Sequence, residues 1–241
     1  MLPPIKGLIE NTLIDWEGKI ASILFLPGCN LRCPYCHAGH LVGAPEALEA
    51  IPFEAIERLG VEHRGWIDGM VISGGEPTLH AGLPELCERI RALGLLVKLD
   101  TNGTHPEVVE GLLERDLLDY VAMDVKAPFD ERYEPVTGVS CDVDTLRRSA
   151  MLIMDSGVEH EFRMTVCPRF TAAEEVVEAA RGIRGAAQFI LQRFNPEDCL
   201  DPSLRNVKPY TPEDLKEFAA KAREFVSRCF LRGDAVAEAA D

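Results

Sequence analysis

Three closely spaced cysteines are the strongest chemical signal in this sequence of 241 residues. Cys29, Cys33 and Cys36 form a C-x3-C-x2-C pattern. Three thiolates on one short segment can bind a metal centre, and three is one fewer than a four-iron cluster requires. The remaining iron would be open to an exogenous ligand, in the way that catalytic metal sites keep a free position. The spacing therefore predicts chemistry at a metal centre.

Two other metal centres fit part of the same segment. The residues from Cys33 to His37 match C-x2-C-H, the attachment pattern of c-type haem, but haem would leave Cys29 without a role. A structural zinc ion could use the three cysteines and His37, although the adjacent Cys36 and His37 would then have to bind one ion. A zinc-bound or electron-carrying binding module without turnover is thus the alternative to an enzyme, and metal analysis would separate the two.

Small and polar residues stand at the ends of several apolar segments, where they could meet a ligand. Glycines allow the backbone to approach a ligand closely, and a following carboxylate can accept hydrogen bonds from an ammonium group. An unpaired buried charge is costly, so such residues must face a ligand, each other or water. An ion pair between Asp124 and Lys126 is the simpler alternative for those two residues. The groups are Gly74-Gly75-Glu76, Asp100-Thr101-Asn102, Asp124 with Lys126, and Arg163.

Apolar segments must position these groups, and their composition predicts β-strands. Several of the segments are continuously apolar, which favours a parallel sheet covered on both faces. Ahead of them, the segments 8–13 and 19–26 flank a short polar loop and predict a hairpin. The predicted strands are 20–26, 69–73, 95–100, 120–125, 160–166 and 189–194, with a short last strand at 229–231.

Segments with helical periodicity lie between the strands, so the pattern is a repeated β-α unit. Pro84, Pro106 and Pro212 stand where a helix would begin, and Gly94 and Gly157 where one would end. Six units are too few for a closed eight-fold barrel, and they predict an open, partial barrel or a doubly wound sheet. The predicted helices are 53–63, 84–93, 106–115, 144–156, 172–183 and 212–227.

The composition of the chain limits the classes of partner and the cellular compartment that we expect. The chain has 40 acidic and 25 basic residues and a formal charge of −15, which disfavours nucleic acid as a partner. Its apolar segments are too short to cross a membrane, and its opening residues lack the features of a signal peptide. We therefore expect a cytoplasmic protein with reduced thiols, whose clustered cysteines bind metal.

The cysteine segment and the polar groups together resemble the radical S-adenosylmethionine (SAM) enzymes. Within that superfamily, Asp100-Thr101-Asn102-Gly103 and the D-x-K pattern ending at Lys126 are similar to the glycyl-radical-enzyme activases. The long-form activating proteins of anaerobic ribonucleoside-triphosphate reductase are the most similar subtype. The resemblance implies an α/β fold, a partial (β/α)6 TIM-like barrel, as one domain over residues 1–241. Residues 1–19 would be a hairpin extension, and residues 234–241 a disordered tail.

The resemblance also implies roles for the site residues. Cys29, Cys33 and Cys36 would hold a [4Fe-4S] cluster whose open iron binds SAM, with the cluster reducing SAM to give a 5′-deoxyadenosyl radical. Tyr35 and His37 would lie beside the cofactor, and Gly74, Gly75 and Glu76 would bind the methionine amino group. Asp100, Thr101 and Asp124 would form a monovalent-cation site with the backbone carbonyl of Ala122, and Asn102 would bind the cofactor. Lys126 and Arg163 would face SAM or the substrate.

The same resemblance implies the partners. The radical would abstract hydrogen from a glycine of a glycyl radical enzyme, with anaerobic ribonucleotide reductase as the expected target. A flavodoxin-type or ferredoxin-type protein would supply the electron. Activation of pyruvate formate-lyase or of another glycyl radical enzyme, and action on a small molecule, stay open as alternatives.

Overall fold

The fold is built on one sheet of eight strands that follow one another in chain order. It comes from a computed structural model that describes residues 1–197 and 199–232. Within these residues β1 and β8 stand at the two ends of the strand order, so the sheet is not closed. The predicted α/β class and partial barrel are confirmed. The predicted tail at 234–241 lies outside the described residues.

The strands begin and end within one residue of the positions expected from the sequence. Their agreement reflects the continuous apolar segments, which have no competing helical periodicity. The strands are β1 (Gly7–Thr12), β2 (Ala21–Leu26), β3 (Gly69–Gly74), β4 (Leu96–Thr101), β5 (Tyr120–Asp124), β6 (Glu159–Val166), β7 (Gln188–Arg193) and β8 (Arg228–Leu231).

Eight α-helices connect the strands in the described residues, and six of them were predicted. The short helices α1 and α5 were missed because five residues show too little periodicity to detect. The last helix ends at Ala222 rather than at the expected Ser227. The helices are α1 (Gly39–Gly43), α2 (Phe53–Glu62), α3 (Leu83–Ala92), α4 (Pro106–Glu114), α5 (Tyr133–Thr137), α6 (Val143–Asp155), α7 (Ala173–Gly182) and α8 (Pro212–Ala222).

Helix α8 begins where its capping residues dictate. The Asp214 N–H donates to Thr211 Oγ1 at 3.2 Å, and the Asp214 carboxylate accepts from the Thr211 N–H at 2.9 Å. Pro212 follows as the first helical residue, where its missing N–H costs nothing. This reciprocal cap satisfies groups that a helix start would otherwise leave without a partner.

The chain divides into two compact units, and the first comprises Met1–Asn30, Ala38–Thr101 and His105–Ala122. In this unit β1 pairs antiparallel with β2, and β2, β3 and β4 pair in parallel. The connection from β1 to β2 is longer than the expected short loop, because Trp16 folds into the core. Trp16 is 2% exposed, and its ring lies 5.8 Å from that of Tyr120.

The second unit comprises Leu31–His37, Asn102–Thr104 and the chain from Met123 onward. Its strands β6, β7 and β8 pair in parallel. Phe162 and Phe189 are register partners, and both are fully buried. In the part of the chain that the structure describes, no helix has the length and apolar character needed to cross a membrane.

Candidate active site

The diglycine at the end of β3 packs against the start of the cysteine segment. The Gly75 N–H donates to the Leu26 carbonyl and the Glu76 N–H to the Gly28 carbonyl, both at 2.8 Å. A Cβ on Gly75 would lie 1.7 Å from the Gly28 oxygen, and one on Gly74 would lie 2.3 Å from the Leu26 oxygen. The structure shows that these glycines admit a second backbone segment.

Glu76 lies inside the first unit with a fully buried carboxylate. Its Oε1 accepts hydrogen bonds from the Thr78 N–H at 3.1 Å, from Thr78 Oγ1 at 2.5 Å and from Thr101 Oγ1 at 2.8 Å. Three donors on one oxygen fix the orientation of the carboxylate and stabilise its charge. Glu76 and Thr101, which were predicted for different parts of the site, are therefore in direct contact.

Two further hydrogen bonds order the same region. Asp100 Oδ2 accepts from Ser73 Oγ at 2.9 Å, so the ends of β3 and β4 are linked by side chains. His80 Nε2 donates to the Pro27 carbonyl at 2.9 Å. Ser73, Thr78 and His80 were not proposed as site residues, although each lies within four residues of the Gly-Gly-Glu motif, which is the signal that could have identified them.

Cys33 and Cys36 stand on one tight turn in the second unit. The Cys36 N–H donates to the Cys33 carbonyl at 3.0 Å. Cys33 is buried and Cys36 is partly exposed, and no disulfide joins cysteines within the residues that the structure describes. On one side the turn is attached to the end of α5, because the Arg32 N–H donates to the Thr137 carbonyl at 2.8 Å.

Residues 195–197 and 199–201 hold the other side of this turn. The Leu200 N–H donates to the Cys36 carbonyl at 3.1 Å, and the Asp201 N–H donates to the Pro34 carbonyl at 2.8 Å. His37 Nε2 donates to the Asn195 carbonyl at 2.8 Å. The sequence does not reveal these contacts, because the residue types of 199–201 do not indicate which distant backbone they will meet.

Tyr35 lies between the two cysteines of the turn and points into the protein. It is 4% exposed, and its ring lies 6.3 Å from that of Phe170. Its hydroxyl has no hydrogen-bond partner among the residues that the structure describes. Burial raises the pKa of Tyr35 well above its ordinary value, although Lys126 opposes this increase. The side chain therefore offers a neutral hydroxyl that can still donate a hydrogen bond.

Asp124 stands between two cations. Its Oδ1 accepts from Arg163 Nε at 2.9 Å, and its Oδ2 accepts from Lys126 Nζ at 2.9 Å. Burial would raise the pKa of Asp124, but Arg163 and Lys126 together hold it well below its ordinary range. Burial would likewise lower the pKa of Lys126, and Asp124 keeps it well above the ordinary value. The ion pair that the sequence left open is therefore present, and Arg163 has the anionic partner that it requires.

A second carboxylate extends this charge arrangement. Glu161 is 3% exposed, and its Oε1 accepts from Arg232 Nη2 at 2.6 Å and lies 3.9 Å from Arg163 Nη1. Positively and negatively charged side chains therefore alternate in this group, in the order Arg232, Glu161, Arg163, Asp124 and Lys126. Glu161 was not predicted, although it shares a strand face with Arg163 two residues away, and that spacing could have identified it.

The predicted site residues are divided between the two units. Within the described ranges 1–197 and 199–232, no group of three or more His, Cys, Asp or Glu side chains has the geometry for binding one metal ion. The thiolates of a four-iron cluster bind different irons, so they need not meet at one point.

The remaining predicted residue, Asn102, makes a local contact: its Oδ1 accepts a hydrogen bond from Thr104 Oγ1 at 2.7 Å. The first unit contains Cys29, Gly74, Gly75, Glu76, Asp100 and Thr101, and the second contains Cys33, Tyr35, Cys36, His37, Asn102, Asp124, Lys126 and Arg163.

Comparison with protein families and curated proteins gives two kinds of match. Residues 23–183 match the model of the radical SAM superfamily. A protein of Methanocaldococcus jannaschii, named as a candidate glycyl-radical enzyme activating enzyme, is 32% identical over 238 residues, which cover 95% of each chain. A 7-carboxy-7-deazaguanine synthase of Halobacterium salinarum is 37% identical over 106 residues, covering 42% of this chain and 39% of the synthase.

Solved structures share the fold at low sequence identity. SuiB of Streptococcus suis bound to SAM superposes with a TM-score of 0.65 at 17% identity, covering 88% of this chain and 52% of SuiB. SuiB bound to its precursor peptide SuiA gives a TM-score of 0.63 at 16% identity, with 86% and 47% covered.

Proposed function

Because the chain belongs to the radical SAM superfamily, we propose that it is a glycyl-radical-enzyme activating enzyme. The observation that carries this proposal is the M. jannaschii relative, which aligns over 95% of both chains and is named for this activity. The alignment with the deazaguanine synthase covers less than half of either protein.

The residues present fit the two cofactors of the superfamily. Cys29, Cys33 and Cys36 form no disulfide in the described part of the chain, and Cys33 and Cys36 share one tight turn, as the attachment of a cluster to a short segment requires. The buried carboxylate of Glu76 suits an ammonium group. The Tyr35 hydroxyl, which has no partner in the described part of the chain, suits a polar atom of a bound molecule. When bound, the cluster and SAM supply the one-electron chemistry.

The protein would contribute binding, orientation and the exclusion of water. Glu76 would accept hydrogen bonds from the methionine ammonium while Thr78 and Thr101 hold its orientation. Lys126 would offer a permanently charged ammonium to a carboxylate, since Asp124 keeps it protonated. A reactive radical abstracts hydrogen from whatever it meets first, so such rigid, dry surroundings favour reaction with the intended substrate.

A monovalent cation is part of the same proposal. Asp100 would supply its negative ligand, with Thr101 beside it, whereas both oxygens of Asp124 already accept hydrogen bonds from Arg163 and Lys126. Hard alkali cations prefer oxygen ligands of this type. Removal of monovalent cations by dialysis is expected to weaken SAM binding, and restoring them singly would identify the preferred ion.

For the substrate, we propose a glycine-bearing peptide loop of anaerobic ribonucleoside-triphosphate reductase. Glycine has no side chain to block approach to its Cα, so a loop is an accessible substrate. SuiB, of which 47% shares the fold of this chain, has been solved with a precursor peptide, and this supports a peptide as the substrate. We propose a small flavodoxin-type or ferredoxin-type protein as the electron donor.

Anaerobic reconstitution tests the cofactor chemistry. Loading with iron and sulfide is expected to give the absorbance of a [4Fe-4S] cluster, and dithionite with SAM is expected to release 5′-deoxyadenosine. A Cys33→Ala variant should release none. A Cys87→Ala variant, which changes a buried cysteine of α3 outside the motif, should behave as the wild type.

The target is tested with the reductase itself. Mixing the reduced protein with SAM and purified anaerobic ribonucleotide reductase is expected to give the electron paramagnetic resonance signal of a glycyl radical. A reductase with its radical-bearing glycine changed to alanine is the matched control. If pyruvate formate-lyase gives the glycyl radical signal and the reductase does not, pyruvate formate-lyase is the target. Release of 5′-deoxyadenosine with no radical on either protein would contradict the activase proposal and favour a small-molecule substrate.

A further inference from the structure

The C-terminal end of α5 is in close contact with the segment that carries Cys33. The Arg32 N–H donates to the Thr137 carbonyl at 2.8 Å. The next residue, Gly138, has a φ of 69°, and its N–H donates to the Glu134 carbonyl at 2.9 Å. A Cβ on Gly138 would lie 2.5 Å from the Arg32 oxygen and 3.2 Å from the Arg32 carbonyl carbon. Only glycine combines this left-handed conformation with so short a distance.

The end of α5 is itself firmly held. Thr137 is fully buried, and its hydroxyl lies 2.9 Å from both the Tyr133 and Val139 carbonyl oxygens, so it can donate to either. Tyr133 is 1% exposed, and its phenol oxygen accepts from the Lys126 N–H at 3.1 Å. A continuous set of contacts therefore runs from the end of β5 through α5 to Arg32.

We propose that Gly138 is a positioning residue for the iron-sulfur cluster and that the end of α5 is the support that fixes the cysteine turn. Arg32 directly precedes Cys33, so any shift of its carbonyl moves the first ligand of the turn. The clash at Gly138 would be with backbone atoms, which cannot move away by a side-chain rotation. Groups that orient metal ligands from outside commonly control how tightly the metal is held. The proposal rests on the cluster of the superfamily and not on the identity of the activated enzyme.

Two glycine variants separate the effect of the contact between Gly138 and Arg32 from the effect of backbone strain. Gly138→Ala introduces both backbone strain and the clash with Arg32. Gly157→Ala is the matched control, since Gly157 has a φ of 77° and no atom within 4 Å of an added Cβ. Both variants are expected to lose thermal stability from the strained backbone. Only Gly138→Ala is expected to release cluster iron to a chelator faster, by roughly 10-fold, the size of effect seen when a supporting group of a metal ligand is lost.

Two measurements that do not depend on turnover complete the test. The electron paramagnetic resonance spectrum of the reduced cluster should change in Gly138→Ala and not in Gly157→Ala. In the cluster-free protein, alkylation of Cys36 should accelerate only in Gly138→Ala. Equal iron release from the two variants, with unchanged spectra, would overturn the proposal. Because neither measurement uses SAM or a partner protein, that result would leave the proposed function untouched.

A milder pair covers the case in which Gly138→Ala fails to fold. Thr137→Val removes the hydroxyl that holds the helix end, and Thr137→Ser keeps it. Iron release is expected to be faster in Thr137→Val and close to wild type in Thr137→Ser. Equal rates in the wild type and both variants would show that the end of α5 does not support the cysteine turn.

Discussion

The Glu76 N–H donates to the Gly28 carbonyl oxygen at 2.8 Å, and Gly28 immediately precedes Cys29. The end of β3 is thereby attached to the start of the cysteine segment through backbone atoms alone. A change in the position of one alters the position of the other. The residue that makes this possible is Gly75, because any side chain there would overlap the Gly28 oxygen.

Gly75→Ala is accordingly expected to separate the two segments. We expect a protein with reduced thermal stability and no measurable SAM binding by isothermal titration calorimetry. Gly111→Ala is the control, since an added Cβ there has no atom within 4 Å. Alanine in the middle of a helix such as α4 is expected to stabilise it by up to about 1 kcal/mol. Normal SAM binding by Gly75→Ala would contradict the role assigned to this contact.

Thr101→Val is expected to weaken the support of Glu76. The variant removes one of the three donors to Glu76 Oε1 at nearly constant volume. A hydrogen bond to a charged group contributes about 2 kcal/mol, so urea unfolding should show a loss of that order. Thr145→Val, which removes a hydroxyl that donates to the exposed Asp142, is the control and should lose much less. Equal losses of unfolding free energy in the two variants would show that the buried hydrogen bond from Thr101 to Glu76 stabilises the protein no more than the exposed one.

Asp124→Asn is expected to reduce stability in a pH-dependent way. Arg163 and Lys126 lower the pKa of Asp124, so its contribution to stability is complete above the unfolded pKa, about 3.9. This contribution to the free energy of unfolding is lost as the pH falls from about 3.9 through the lower pKa that Asp124 has in the folded protein. Removing one member of such a group costs about 3 kcal/mol. Urea unfolding should show this difference in unfolding free energy between the wild type and Asp124→Asn at pH 5 to 8, and a smaller difference below about pH 4.

The control for this prediction is Asp144→Asn, which changes an exposed carboxylate that pairs with Arg147 at 2.7 Å. Its unfolding free energy should stay close to that of the wild type over the same pH range. A wild-type advantage over Asp124→Asn that vanished already at pH 6 would contradict the ion arrangement around Asp124.

The cysteines are expected to divide into reactive and protected groups. Burial raises the pKa of Cys87 and of Cys229 to about 12, so about one thiol in 10,000 is ionised at pH 8. Iodoacetamide should therefore modify Cys36 of the cluster-free protein much faster than either of these, as followed by mass spectrometry. Cluster loading should then protect Cys36. Rapid modification of Cys87 in the native protein would contradict its burial.

Local sequence signals were sufficient for the strands and for most helices. Strands β2, β3, β5 and β7 each contain a continuous apolar run, so their bounds depend on few residues. Helix α5 and the long connection that contains Trp16 were not predicted. Helix α5 is too short to have a recognisable period, and the connection is long because the Trp16 ring is buried against Tyr120, which lies far away in the sequence.

The sequence by itself determined the kind of chemistry, because the cysteine spacing and the Gly-Gly-Glu motif are local features that a few neighbouring residues define. Only the tertiary structure decided which partner each charged or hydrogen-bonding group takes. Thr101 and Glu76 are 25 residues apart, and Arg163 and Asp124 are 39 apart. The physical reason is that a buried carboxylate takes its partners from whatever the fold brings within about 3 Å, and sequence distance does not determine that choice.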